Sequence, residues 1–162
     1  MHQVFLGLGG NTGNKKDNFD KVYTFIKNEL GEIIKRSFVY ETPPWGFQSD
    51  ENFWNQVLLI ETGFSPKEVL KKIAEIENHF GRERGTTGYS SRKMDIDILY
   101  FDELVLETEN LTIPHPQIAN RLFVLVPLAE IAPEFVHPLL KTTSLQLLEN
   151  CPDKSEIKKT GI

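Results

Sequence analysis

Cysteine is nearly missing from this chain: Cys151 is its only one. A single thiol makes neither an internal disulfide nor a cysteine-based zinc site, so a reducing, cytoplasmic setting is expected. Long apolar runs are missing as well. None approaches the ~18 residues a membrane span needs, and Met1-His2-Gln3-Val4 lacks the basic start and apolar stretch of a signal peptide. Excess positive charge is the third absence. Lys and Arg total 18 against 23 Asp and Glu, a formal charge of -5. That argues against nucleic-acid binding through a basic face and leaves open a local cationic pocket for a small anion. The histidines at 2, 79, 115 and 137 show no metal-ligand spacing, and no Ser-His-Asp arrangement is recognisable.

What remains is an ordinary globular composition, 40% hydrophobic and 25% charged over 162 residues, without repeats or low-complexity tracts. One domain over residues 1–162 is expected. Val4 to Leu8 reads as a buried strand entering a tight turn at Gly7, Gly9 and Gly10. Phe19, Val22, Tyr23, Ile26 and Leu30 recur at helical spacing, with Gly31 as a stop. Ile33 to Tyr40 and Asn55 to Thr62 read as strands. Ser65, Pro66 and Glu68 announce a capped helix carrying Val69, Leu70, Ile73, Ile76 and Phe80 on one side. Met94 to Phe101 is another strand. The order strand, helix, strand, strand, helix, strand predicts an α+β fold: a ferredoxin-like βαββαβ core with a mixed sheet. Short helices are expected near 116–120, 122–129 and 144–149, and the polar tail 152–162 is expected to be loosely held. Two loops, 42–52 and 81–91, are long enough to raise a functional question.

Three stretches could carry chemistry. In a strand, Asp95 and Asp97 face one way while Met94, Ile96 and Ile98 face the other. Carboxylates roughly 7 Å apart along a strand repel each other unless a cation intervenes. They suit Mg²⁺, which takes few carboxylates together with waters and phosphate oxygens. The plain alternative is a solvated acidic face, disfavoured here because Leu99 and Phe101 are expected to share that face. Arg82, Arg84 and Arg92 gather just before this strand, offering planar recognition of phosphate. Surface ion pairing with Glu83 and Asp95 is the alternative. Gly7-Leu8-Gly9-Gly10-Asn11-Thr12-Gly13 invites a dinucleotide-binding reading with Glu41 as the ribose acid. Its glycine spacing fits neither that fingerprint nor a Walker A loop, so a closely packed glycine turn is expected.

Taken together, several motifs resemble the 6-hydroxymethyl-7,8-dihydropterin pyrophosphokinase family, from Val4 to about Pro138. They are Gly7-Leu8-Gly9-Gly10-Asn11, Tyr40-Glu41-Thr42-Pro43-Pro44, Asn52-Phe53-Trp54-Asn55, Gly81-Arg82-Glu83-Arg84, Arg92-Lys93-Met94-Asp95-Ile96-Asp97-Ile98, Pro114-His115-Pro116 and Asn120-Arg121-Leu122-Phe123. The resemblance implies transfer of pyrophosphate from ATP to the pterin hydroxymethyl group, releasing AMP, by a monomer whose C-terminal helices complete an α/β/α sandwich. It implies two Mg²⁺ ions on Asp95 and Asp97. It implies ATP contacts from Arg82, Arg84, Arg92, Ile98, Thr112, His115 and Arg121, with Arg82 and Arg92 also catalytic. Around the pterin it implies Thr42, Pro43, Pro44, Trp45, Gly46, Asn55 and Asp95, with the ring stacked between Phe53 and Phe123. Both long loops are expected to close over the substrates. Phe53 stands where tyrosine is frequent in that family, Tyr89 where tryptophan is, Trp45 in place of leucine, and Pro116 in place of an aromatic or polar residue. A nucleotidyltransferase releasing pyrophosphate and a nucleotide-sensing module without catalysis are the competing readings.

Overall fold

The computed structural model describes residues 1–43, 51–81 and 93–161. Its centre is a sheet whose strands are β1 (His2–Gly10), β2 (Glu32–Arg36), β3 (Tyr40–Thr42), β4 (Phe53–Thr62), β5 (Asp95–Phe101) and a short β8 (Lys158–Lys159). The order is β5-β1-β4-β3-β8, with β2 also paired to β4. Between β1 and β2 runs α1 (Lys15–Glu29), and between β4 and β5 runs α2 (Pro66–His79). This is the expected βαββαβ order. The sheet expected to be mixed is instead antiparallel at every ladder among the described residues. β1 and β2 run the same way, but β4 lies between them and pairs with both.

Local signals explain the helices. Asn14 caps α1 by accepting from Asp17 N–H, and Ser65 with Glu68 forms a full capping box on α2, an arrangement worth about 1 kcal/mol. Phe19, Val22 and Ile26 of α1 and Val69, Ile73 and Ile76 of α2 bury against Val4, Leu6, Leu8, Leu58 and Ile60 of the sheet. The opposite face is covered by α3 (Leu122–Ile131) and α4 (Ser144–Glu149), through Phe5, Val57, Leu59, Tyr100, Leu125 and Leu128. The result is the expected three-layer sandwich. A small hairpin, β6 (Leu106–Glu107) with β7 (Thr112–Ile113), and a 3₁₀ turn Ile118–Asn120 lead into α3.

Four further expectations need correction. The glycines at 7, 9 and 10 do not turn the chain, because β1 continues to Gly10 with unbroken pairing to β4. The single strand expected over 33–40 is two. Ser37 interrupts it, its hydroxyl accepting from Val57 N–H and its carbonyl from Gln56 Nε2, so β2 and β3 meet different parts of β4. The face expected to hold both Leu99 and Phe101 is broken by a bulge. Phe5 pairs with Tyr100 and Leu6 with Ile98, so Leu99 is the extra residue. Leu99 and Tyr100 thus both join the α3 side, and Phe101 returns to the α1–α2 side. Finally, the tail is tied down. β8 pairs with Tyr40 and Glu41, Thr160 N–H donates to Val39 carbonyl, and Asp153 accepts from Leu122 N–H. Most of the loops expected at 42–52 and 81–91 lies outside the described residues, which leave out 44–50 and 82–92.

Candidate functional site

Strand register assembles the site. Gly9 of β1 pairs with Asp95 on one side and with Asn55 on the other; Gly7 pairs with Asp97 and with Val57. Two rows therefore cross three strands, each with an acid at one end and a glycine in the middle. The missing glycine side chains leave a trough on the α3 side of the sheet. Gly7, Gly9, Thr42, Pro43, Phe53, Asn55, Asp95, Asp97, Leu99, Arg121 and Phe123 line one cavity there. A methyl group on Gly9 would sit 3.2 Å from Asn55 Oδ1, so the trough is already close-fitting at that point.

Each wall has its own support. Asn55 is buried and donates from Nδ2 to Thr42 Oγ1 at 2.8 Å, which sets the amide so that Oδ1 lies over Gly9. Thr42 is held opposite Phe53 by the β3–β4 ladder. Tyr40, two residues earlier, donates its hydroxyl to Glu130 of α3, and that carboxylate also accepts from Phe38 N–H. Burial pushes the Tyr40 phenol well up, and the neighbouring Glu130 adds to the shift, so this anchor stays protonated. Arg121 immediately precedes α3. It is buried, with its guanidinium 5.6 Å from the Phe123 ring centroid. Burial lowers its pKa, yet an arginine starts high enough to remain cationic.

His115 lies at the acidic edge. Its Nδ1 accepts from Gln117 N–H at 3.1 Å, which places the ring proton on Nε2. Burial lowers its pKa, and the Asp95 carboxylate offsets this in part. At neutral pH it is an uncharged donor.

Of the residues expected in the site, the structure brings Thr42, Pro43, Phe53, Asn55, Asp95, Asp97, Arg121 and Phe123 into one cavity. Ile98 is buried in the α1–α2 core, so only its backbone could reach a ligand. Thr112 is exposed on β7. Pro44, Trp45, Gly46, Arg82, Arg84 and Arg92 lie outside the described residues. Among those described, no group of three or more His, Cys, Asp or Glu forms a metal cluster. Asp95 and Asp97 are the acids among the described residues that line the cavity.

The sequence signature of 7,8-dihydro-6-hydroxymethylpterin-pyrophosphokinase matches residues 5–133, most of the chain and both rows of the site. The chain belongs to this family. It is 39% identical over 141 residues to a 2-amino-4-hydroxy-6-hydroxymethyldihydropteridine pyrophosphokinase of Aquifex aeolicus, covering 87% of each. It is 36% identical over 154 residues to the Folic acid synthesis protein FOL1 of Dictyostelium discoideum, where it covers 95% of itself but spans only 23% of that relative. A crystal structure of Plasmodium falciparum HPPK-DHPS with pteroate superposes with a TM-score of 0.76 at 17% identity, over 91% of this chain and 44% of that one. At that identity the likeness shows the fold. The cavity also includes residues that sequence reasoning missed. Gly7 and Gly9 make its floor, and Leu99 and Val124 its apolar sides. The glycine spacing carried the signal: positions 7 and 9 of a strand share a face, opposite the buried Leu6 and Leu8.

Proposed function

We propose that this chain transfers the pyrophosphoryl group of ATP to the hydroxymethyl oxygen of 6-hydroxymethyl-7,8-dihydropterin, releasing AMP, in folate biosynthesis. It acts as a monomer of one domain over residues 1–162, in the reducing setting where its buried thiol Cys151 stays free. The carrying observation is the double row Asp95–Gly9–Asn55 and Asp97–Gly7–Val57, opening into a cavity that also holds Phe53 and Phe123, in a chain of this family.

The trough suits a flat, polar-edged ring. Gly7 and Gly9 give it room, Phe53 and Phe123 supply aromatic faces, and Asn55 with Thr42 reads the edge through hydrogen bonds. In this reading the hydroxymethyl arm points toward β5. There its oxygen forms a bond to the β-phosphorus while the bond from that phosphorus to the α–β bridging oxygen breaks. The electron pair leaves with AMP, and the hydroxyl proton goes to solvent. Positioning and charge neutralisation carry most of such a transfer.

Two same-side carboxylates, aimed into a cavity with a buried arginine, are a donor set that fits Mg²⁺. Asp95 and Asp97 would hold it, as two ions with ATP. When bound, Mg²⁺ supplies positive charge against the phosphate oxygens and aligns the attacking hydroxyl. Arg82 and Arg92 are assigned to phosphate oxygens by their chemistry, with Arg84, Arg121 and the neutral Nε2–H of His115 on the nucleotide side. No side chain is assigned as general base.

Product analysis tests the assignment. With Mg²⁺, ATP and the reduced pterin, turnover yields AMP and pterin pyrophosphate in equal amounts. ADP, or free pyrophosphate with a nucleotidylated product, would refute it in favour of a kinase or nucleotidyltransferase, and nucleotide binding without turnover would favour a sensing module. Asp97→Asn keeps size and shape but removes the charge, and lowers turnover by about 10³-fold with the melting temperature little changed.

A further inference from the structure

An acid on the far side of β5 from the cavity still touches the machinery of the site. Glu77 lies on α2 and is only 7% exposed. Its Oε2 accepts a hydrogen bond of 2.9 Å from the backbone N–H of Ile96, in a fully buried setting. Ile96 separates Asp95 from Asp97. Among the described residues β5 is the terminal strand of the sheet, bonded to a strand on one side only, β1. An edge strand holds its register with one ladder instead of two, so its backbone is less constrained than that of a central strand. Here the open side is closed by single bonds on both flanks of Asp97: Glu77 takes Ile96 N–H, and His115 N–H donates to Leu99 carbonyl.

A carboxylate is a costly group to bury on a helix whose neighbouring inward positions are Ile73, Ile76 and Phe80. Leucine would serve packing better. What Glu77 adds is an acceptor that reaches around the strand edge. Its bond reaches the strand from outside the ladder. It fixes the peptide plane joining Asp95 to Ile96, and so the direction in which Asp95 leaves the strand. The bulge at Leu99 loosens the same strand two residues after Asp97, which makes a clamp on the Ile96 side more consequential.

We infer that Glu77 is a positioning residue: it holds the Asp95–Asp97 segment of the edge strand so that both carboxylates address one Mg²⁺–nucleotide. The inference rests on the proposed role of those two aspartates, and its test separates the two. The variants are Glu77→Leu, which fills the space without an acceptor, and Glu77→Gln, which keeps an acceptor without the charge. Glu77→Ala replaces Glu77→Leu if the latter does not fold. Amide exchange at Ile96 and Asp97 is read on the unliganded protein by NMR. Mn²⁺ with α,β-methylene-ATP is then titrated by electron paramagnetic resonance, and kcat and KM are measured. In Glu77→Leu, exchange at Ile96 quickens, Mn²⁺–nucleotide affinity falls about tenfold, as for lost support behind a metal ligand, and kcat falls more than KM for the pterin rises. Glu77→Gln returns each quantity to within about threefold of the parent, since a neutral acceptor keeps most of the bond. A folded acceptor-free variant with parental Mn²⁺–nucleotide affinity would overturn the inference, as would a Glu77→Gln as impaired as Glu77→Leu. If the parent itself binds no Mn²⁺–nucleotide, the metal assignment fails instead, while exchange at Ile96 still reports whether Glu77 clamps the strand.

Discussion

Gly9 shows how much of this site is set by an absent side chain. It sits inside β1, one residue from its end, where glycine weakens a sheet, between Asp95 and Asn55. A Cβ there would meet Asn55 Oδ1 at 3.2 Å, a contact that yields only if the amide shifts by a few tenths of an ångström. The amide is tethered to Thr42 and cannot shift freely. Gly9→Ala is therefore expected to fold, and even to gain some strand propensity, while pterin affinity falls about tenfold through the displaced amide. Calorimetric titration with the pterin checks it, and unchanged affinity would mean that Asn55 does not read the ring edge. The acids, the amide and the aromatics of this cavity were legible in sequence because each is a chemically expressive residue in a short motif. The glycine floor was not read, because glycines at the end of an apolar run suggest a turn as readily as a trough. Glu77 left one faint trace, an acid at a helix position where its neighbours are apolar.

Elements follow the same division between what is local and what is not. Both long helices could be placed from sequence, since caps and apolar periodicity lie within the segment itself. The break at Ser37, the bulge at Leu99 and the docking of β8 depend on partners 20 to 121 residues away, such as Val57 and Val39. No local pattern carries that information. Gly31 combines the two kinds. Its position after α1 reads as a helix stop, but its reason is contact: a Cβ there would stand 1.9 Å from Glu61 carbonyl oxygen. Strand β4 and the end of α1 approach backbone to backbone at this point, joined by the Thr62 hydroxyl donating to Leu30 carbonyl. Gly31→Ala must push the strand from the helix, and a loss of about 2–4 kcal/mol of unfolding free energy is expected, in the range of other overpacked backbone sites. Urea denaturation measures it. A change below about 0.5 kcal/mol, the scale of an ordinary surface substitution, would show that the two segments can separate without strain.

The α3–α4 layer belongs to the whole molecule, because it roofs the cavity through Phe123 and Val124 and is itself held by one buried histidine. His137 is 5% exposed, and its Nδ1 accepts from both Leu139 and Leu140 N–H. Its backbone N–H donates to Thr142 carbonyl, and its carbonyl accepts from Lys141. The ring also packs edge-on against Tyr100, 5.6 Å between centroids. A proton on Nδ1 would confront two donors with a third. Burial already pushes the His137 pKa below its usual 6.5. The sign of the linkage follows. Below 6.5 the unfolded chain binds a proton that the folded chain refuses, so stability falls as pH drops from about 6.5 toward the lower folded value. Carboxylates held low in the fold, such as Asp153, act only nearer their ordinary range of about 4, which leaves the histidine window separate. His115 has the same construction, with Gln117 N–H on Nδ1, and contributes in the same direction. Urea midpoints are expected to fall steadily between about pH 7 and pH 5. His137→Gln can accept the same N–H groups without titrating, so it is expected to lower stability at pH 7 slightly and to flatten part of that slope, leaving the share of His115. A slope identical to the parent would show that the turn after α3 opens to admit the proton at no cost, and that the roof of the cavity does not depend on a neutral His137.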